Sequence, residues 1–171
     1  MEYAIDLPAM QWNKQAITEL MLAQPGAKWI NEQHGTMPHI KYINKYLRVG
    51  SHPLFEEIYQ QYPELELKPE YTFFMELSPG VLLAPHRDVG RAATINFPLL
   101  GDWAATPIRF HKQGIMSKAD IVYEHVYSDE HPTLINTSEL HSVKNPTSGT
   151  RYMLSMSVHK PWEDIKRILR A

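Results

Sequence analysis

Three side chains in the second half of the chain, His86, Asp88 and His141, are of the types that hold a divalent ion. His86-Arg87-Asp88 follows the apolar run Val81-Leu82-Leu83-Ala84-Pro85. In extended backbone alternate side chains share a face, so His86 and Asp88 can chelate one ion. His141 opens a later β segment, and Arg151 follows at the start of the apolar run Tyr152–Val158. Two imidazoles and one carboxylate on one face of an octahedral ion leave adjacent positions open, which suits Fe(II) binding a co-substrate and O2 together. A guanidinium reaching the same cavity pairs with a carboxylate through parallel hydrogen bonds. The residues make sense as a metal that chelates a 2-oxo acid at one end and an arginine that clamps the other. A lone His-x-Asp is ordinarily just solvated or hydrogen-bonded. The weight rests on all four residues in this order, each at a strand end.

Further candidates lie close by in sequence. Arg91 suits a substrate carboxylate, and strand alternation from Asp88 turns Asn96 toward the same cavity, to bond co-substrate or substrate. Trp103 falls in a loop that would line the mouth. His39, together with His34, would touch substrate if its loop covers the site. His111, His125 and His159 fall in strands and read as surface or hydrogen-bonded histidines. Tyr71, Phe73 and Met75 alternate and read as core.

The elements that must position these residues change character near residue 70. Before it, Met10–Leu22 and Pro53–Tyr62 show helical spacing, the first stopped by Pro25-Gly26 and the second begun by Pro53. Between them, Trp29–Gly50 shows no clean period and reads as a strand pair or a long loop over a site. From Tyr71 the pattern becomes a succession of short strands, at Tyr71–Leu77, Val81–Pro85, Ala92–Leu99, Pro107–His111, Ile121–Tyr127, Thr133–Asn136, His141–Lys144 and Tyr152–Val158. Ser78-Pro79-Gly80, Gly101-Asp102, Ser128-Asp129-Glu130 and Asn145–Gly149 separate them with turn chemistry. Closely spaced strands without intervening helices argue for a sandwich or jelly roll. Pro161–Leu169 closes the chain as a short amphipathic helix. The expected organisation is one domain over 1–171: a helical front and lid at 1–70, a β core at 71–160, and a C-terminal helix at 161–171.

Composition narrows the classes. With 171 residues and 43% hydrophobic content the chain can bury one proper core. A net charge of -2 and the absence of any Lys- or Arg-rich run argue against nucleic acid as a partner. The absence of cysteine excludes a disulfide scaffold, a thiolate metal site and a cysteine nucleophile. The start MEYAIDLPAM lacks signal-peptide character, and no apolar run reaches the length of a membrane span; a cytoplasmic protein without membrane association is expected.

His86-x-Asp88, His141 and Arg151 resemble the His-x-Asp…His…Arg pattern of the Fe(II)- and 2-oxoglutarate-dependent dioxygenases. The runs Pro85–Arg91 and Leu140–Asn145 further resemble the aspartyl/asparaginyl β-hydroxylase-like and free-proline-hydroxylase branch. The resemblance covers 71–158 and implies a double-stranded β-helix, a jelly-roll variant of cupin type, mainly β with flanking α. It implies Fe(II) on His86, Asp88 and His141, 2-oxoglutarate anchored by Arg151, O2 as oxidant, and hydroxylation of an amino acid or an amino-acid side chain. Met153 stands where many members carry Ser or Thr, two positions after the arginine. Asp88 supplies a carboxylate that aspartyl/asparaginyl hydroxylases lack, which favours the branch with a full triad and disfavours halogenation. The same ligands without a 2-oxoglutarate requirement would describe a cupin-like isomerase or sensor. A structural jelly roll whose histidines bind nothing is the remaining alternative.

Overall fold

The computed structural model describes residues 2–26, 29–32, 44–112 and 121–170. Among the described residues three α-helices, α1 (Lys14–Leu22), α2 (Pro53–Gln61) and α3 (Trp162–Leu169), flank eleven strands. The strands are β1 (Ala4–Asp6), β2 (Ile30–Glu32), β3 (Asn44–Arg48), β4 (Thr72–Leu77), β5 (Leu82–His86), β6 (Ala93–Leu100), β7 (Ile108–His111), β8 (Ile121–His125), β9 (Thr133–Asn136), β10 (His141–Lys144) and β11 (Arg151–Val158). They form a 7-stranded sheet in the order β1-β9-β6-β11-β4-β3-β2 and a 4-stranded sheet in the order β5-β10-β7-β8. All pairings are antiparallel. The fold is the expected double-stranded β-helix with helices against one face. Among the described residues no helix is long and apolar enough to cross a membrane.

Alternation along the strands of the larger sheet splits its side chains between two cores. Ala93, Ile95, Phe97 and Leu99 of β6, Phe74 of β4, and Leu154, Met156 and Val158 of β11 face the helices. They meet Ile17 and Met21 of α1, Phe55, Ile58 and Tyr59 of α2, and Ile165 of α3, spaced to fall on one face of each helix. Full burial of each large apolar side chain stabilises by about 1.5–3 kcal/mol, so this layer holds the larger sheet to its helices. The Tyr59 and Thr72 hydroxyls add a buried 2.7 Å hydrogen bond between α2 and β4. The opposite face of the same strands looks toward the smaller sheet, across a second apolar cluster that includes Leu77, Ile108, Phe110, Ile135, Val143 and Met153.

Several boundaries differ from expectation for local reasons. α1 begins at Lys14 rather than Met10, because Asn13 caps it by accepting from the Ala16 N–H at 3.0 Å. Met10 is buried in the preceding turn. α2 starts at Pro53 as expected, with the His52 imidazole accepting from the Leu54 N–H. In the 29–50 stretch β2 and β3 pair as a strand ladder, Ile30 opposite Tyr46. The front thus contributes β1, β2 and β3 to the larger sheet in addition to its helices. The loop expected as a lid, with His34 and His39, lies outside the described residues.

Candidate metal centre and co-substrate cavity

His86 closes β5 and His141 opens β10, and the antiparallel register sets them directly opposite one another. Their ring centroids are 4.5 Å apart. Asp88 follows in a loop whose backbone is pinned by the Asp88 N–H donating to the Thr137 carbonyl at 3.0 Å. His86 Nε2 lies 3.5 Å from Asp88 Oδ1. One ligand atom from each of His86, Asp88 and His141 falls within 4.8 Å of the others, close enough for one ion to bridge them. The next turn passes through Gly90 at φ 82, a left-handed conformation that glycine adopts without strain. That turn returns Arg91 onto Asp88.

The surroundings prepare the three side chains as ligands. His86 Nδ1 lies 2.7 Å from the Ala84 carbonyl and His141 Nδ1 lies 2.9 Å from the Glu139 carbonyl. In each ring Nδ1 is the proton donor, which leaves the Nε2 lone pair for a metal. Arg91 Nε donates to Asp88 Oδ2 at 2.8 Å and Arg91 Nη1 to the Ser157 hydroxyl at 3.1 Å. One carboxylate oxygen is thereby held by Arg91 while the other faces His86. Burial resists ionisation of Asp88, but the His86 contact and the Arg91 charge outweigh it and hold the carboxyl well below the usual range. Burial, reinforced by the neighbouring His86, pushes His141 down to about 4, so it is neutral and able to ligate near neutral pH. For His86, burial is outweighed by the Asp88 and Ala84 hydrogen bonds, and its pKa rises.

These groups line one cavity of ≈ 630 Å³ between the sheets, within the usual range for small-ligand sites. Alternation brings Arg151, Met153, Ser155 and Ser157 of β11 into its wall, with Thr94 and Asn96 of β6. At the buried end, Arg151 is 4% exposed. Its guanidinium carbon sits 5.0 Å from the ring centroids of both Trp103 and Tyr127, and its Nη2 is 3.8 Å from Met153 Sδ. Arg151 Nε has no hydrogen-bond partner, and among the described residues no carboxylate forms an ion pair with this guanidinium. Burial pulls the Arg151 pKa down against the opposing influence of Tyr127. Asn96 Nδ2 donates to the Tyr127 hydroxyl at 3.0 Å, and Asn96 Oδ1 is buried without a partner. Buried polar atoms left in this state are uncommon, and a water or a ligand would satisfy them.

Other sequence candidates take different positions. Trp103 is not at the mouth: it packs behind Arg151, with its indole N–H donating to Asp129 Oδ1 at 3.1 Å. Arg91, expected on a substrate carboxylate, spends its Nε on Asp88. Phe73 and Met75, expected as core, line the cavity with Tyr71, while their neighbour Phe74 faces the helices. Tyr127 was not singled out in the sequence. It ends an ordinary alternating strand pattern, and nothing local distinguishes it from a packed aromatic.

The fold is similar to that of several solved structures at low sequence identity. A prolyl hydroxylase from Trichoplax adhaerens, in complex with a hypoxia inducible factor peptide fragment, aligns with a TM-score of 0.62 at 13% identity, over 98% of this chain and 87% of that one. HygX from Streptomyces hygroscopicus, with nickel and 2-oxoglutarate bound, aligns at 0.61 and 7% identity, over 93% and 83% of the two chains. A Pseudomonas putida prolyl-4-hydroxylase aligns at 0.58 and 12% identity, over 94% of each chain. No protein-family model and no curated protein matches the sequence.

Proposed function

We propose that the protein is an Fe(II)- and 2-oxoglutarate-dependent dioxygenase that hydroxylates an amino acid or an amino-acid side chain. The observation that carries this reading is Arg151, a buried guanidinium without a carboxylate partner among the described residues, in the cavity that also holds the triad. A buried cation of this kind is expected to receive an anion. The far carboxylate of 2-oxoglutarate would fit that need.

In this reading His86, Asp88 and His141 would hold Fe(II) through two imidazole nitrogens and one carboxylate oxygen. The metal and co-substrate together supply the oxidising power for an unactivated C–H bond. The protein's own residues position and shield. Arg151 would bind the distal carboxylate, and the second N–H of the Asn96 amide is placed to assist. The Trp103 and Tyr127 rings keep water from the guanidinium. Arg91 fixes the orientation of Asp88. The chain acts as one domain, in a cytoplasmic setting that supplies 2-oxoglutarate and reduced iron. Its substrate is a small molecule or a peptide, without nucleic acid or membrane.

The test is direct. Purified protein with Fe(II), ascorbate and O2 should convert 2-oxoglutarate to succinate, stimulated by a member of an amino-acid and peptide panel. Anaerobic addition of Fe(II) and 2-oxoglutarate should give a visible charge-transfer band. Asp88→Ala should abolish metal binding and turnover together. Absence of both the band and turnover in the wild-type protein would remove the proposal.

A further inference from the structure

The inner face of the larger sheet continues from the buried end of the cavity toward its opening. One rung of paired residues crosses it: Asn96 on β6, Ser155 on β11, Phe73 on β4 and Arg48 on β3. Directly paired residues project to the same face, and all of these line the cavity. Arg48 is exposed, and its guanidinium carbon lies 5.7 Å from the Phe73 ring centroid. A guanidinium stacked on a ring keeps its N–H edge available for a planar anion. Tyr71 and His159, with ring centroids 4.2 Å apart, line the same cavity, and Tyr71 is 36% exposed.

The charges of the cavity do not balance. Among the described residues its wall carries four arginines, Arg48, Arg87, Arg91 and Arg151, against Asp88 as the carboxylate. Arg91 is committed to Asp88. Arg87 donates its Nε to the Ser138 carbonyl at 3.0 Å. Arg151 is assigned to one carboxylate of the co-substrate, and the other would face the divalent metal. Arg48 is left facing the open end without a carboxylate partner among the described residues. A cleft lined by one sign of charge concentrates ligands of the other sign.

We infer that Arg48, backed by Phe73, forms a subsite for a carboxylate on the substrate, at the opposite end of the cavity from Arg151. This rests on the proposed function for the assignment of Arg151 and the triad. It moves the substrate clamp from Arg91 to a residue on β3, with an apolar substrate body lying along Phe73 and Tyr71. The substrate class is then a small carboxylic acid with an apolar portion rather than a neutral molecule or a cation.

The experiment uses 4-fluorophenylacetate and 4-fluorophenylacetamide as probes, titrated by 19F NMR into protein saturated with Ni(II) and 2-oxoglutarate. The acid should bind roughly 2- to 5-fold more tightly than the amide, as an exposed charge-assisted contact allows. Arg48→Gln should bring the two affinities together, and Arg48→Lys should keep part of the preference. The preference should persist in Arg151→Met, which separates the subsite from the co-substrate pocket. Equal binding of acid and amide to wild-type protein, binding of neither, or a preference that survives Arg48→Gln would each overturn the inference. Calorimetric titration of 2-oxoglutarate is run alongside. Its failure tells against the proposed function, while the probe comparison, repeated in Arg151→Met protein without metal or co-substrate, still reads Arg48.

Discussion

Replacing Arg151 by methionine should make the protein more stable and less able to bind 2-oxoglutarate. Arg151 is 4% exposed, and its Nε has no hydrogen-bond partner. A buried unpaired ion carries a penalty of several kcal/mol after relaxation. The Trp103 and Tyr127 rings at 5.0 Å offset part of this, each by about 0.5–2 kcal/mol. The net strain released by a methionine of similar length is therefore about 1–3 kcal/mol. For a chain of this size that raises Tm by roughly 2–4 °C per kcal/mol. Loss of a buried charge-paired contact should weaken 2-oxoglutarate by about 2–5 kcal/mol, which is upward of roughly 30-fold. Scanning calorimetry of the metal-free protein gives the first quantity, and isothermal titration of 2-oxoglutarate in Ni(II) gives the second. A lower Tm together with unchanged affinity would refute the reasoning, because it would mean that the guanidinium is satisfied by the fold itself.

Arg91→Gln should lower Ni(II) affinity roughly 10- to 100-fold, the usual effect of removing the group that orients a metal ligand. Unchanged affinity would show that Asp88 needs no such support. Gly101 follows β6 at φ 149, and a Cβ there would meet Arg151 Cα, Cβ and Cγ at 3.3 Å. Gly101→Ala should cost about 1–3 kcal/mol by overpacking and weaken 2-oxoglutarate by displacing Arg151; wild-type thermal stability in that variant would contradict the contact. Burial lowers the pKa of His125 against the opposing charge of Asp6, whose Oδ1 lies 3.4 Å from Nε2. The folded state then holds this residue neutral while the unfolded chain takes up a proton below about pH 6.5. The contribution is present above that pH and lost as pH falls toward the depressed folded value, so His125→Gln should flatten the acid side of a Tm-versus-pH profile. Identical profiles would exclude that role.

Much of the β core was legible because its strands obey a two-residue period and are separated by residues that favour turns. Every strand expected from residue 71 onward appears within one or two residues of its expected bounds. β1 was not seen, since Ala4–Asp6 is too short to show a period and exists because β9 offers it a partner. The split face of β4 was misjudged for a related reason. Tyr71, Phe73 and Met75 have the composition of a core stripe, and only the second sheet opposite them opens a cavity there.

The sequence by itself determined the types of the candidate ligands and their order, because these depend on residue identity alone. The tertiary structure alone decided the rest. It set His86 opposite His141 through the β5–β10 register, gave Arg91 to Asp88 and Ser157, and put Trp103 and Tyr127 against Arg151. It also put the exposed Arg48 on the wall of the cavity. Those relations join residues far apart in sequence, and they arise only when two sheets close over one space and each buried charge must find its partner or remain without one.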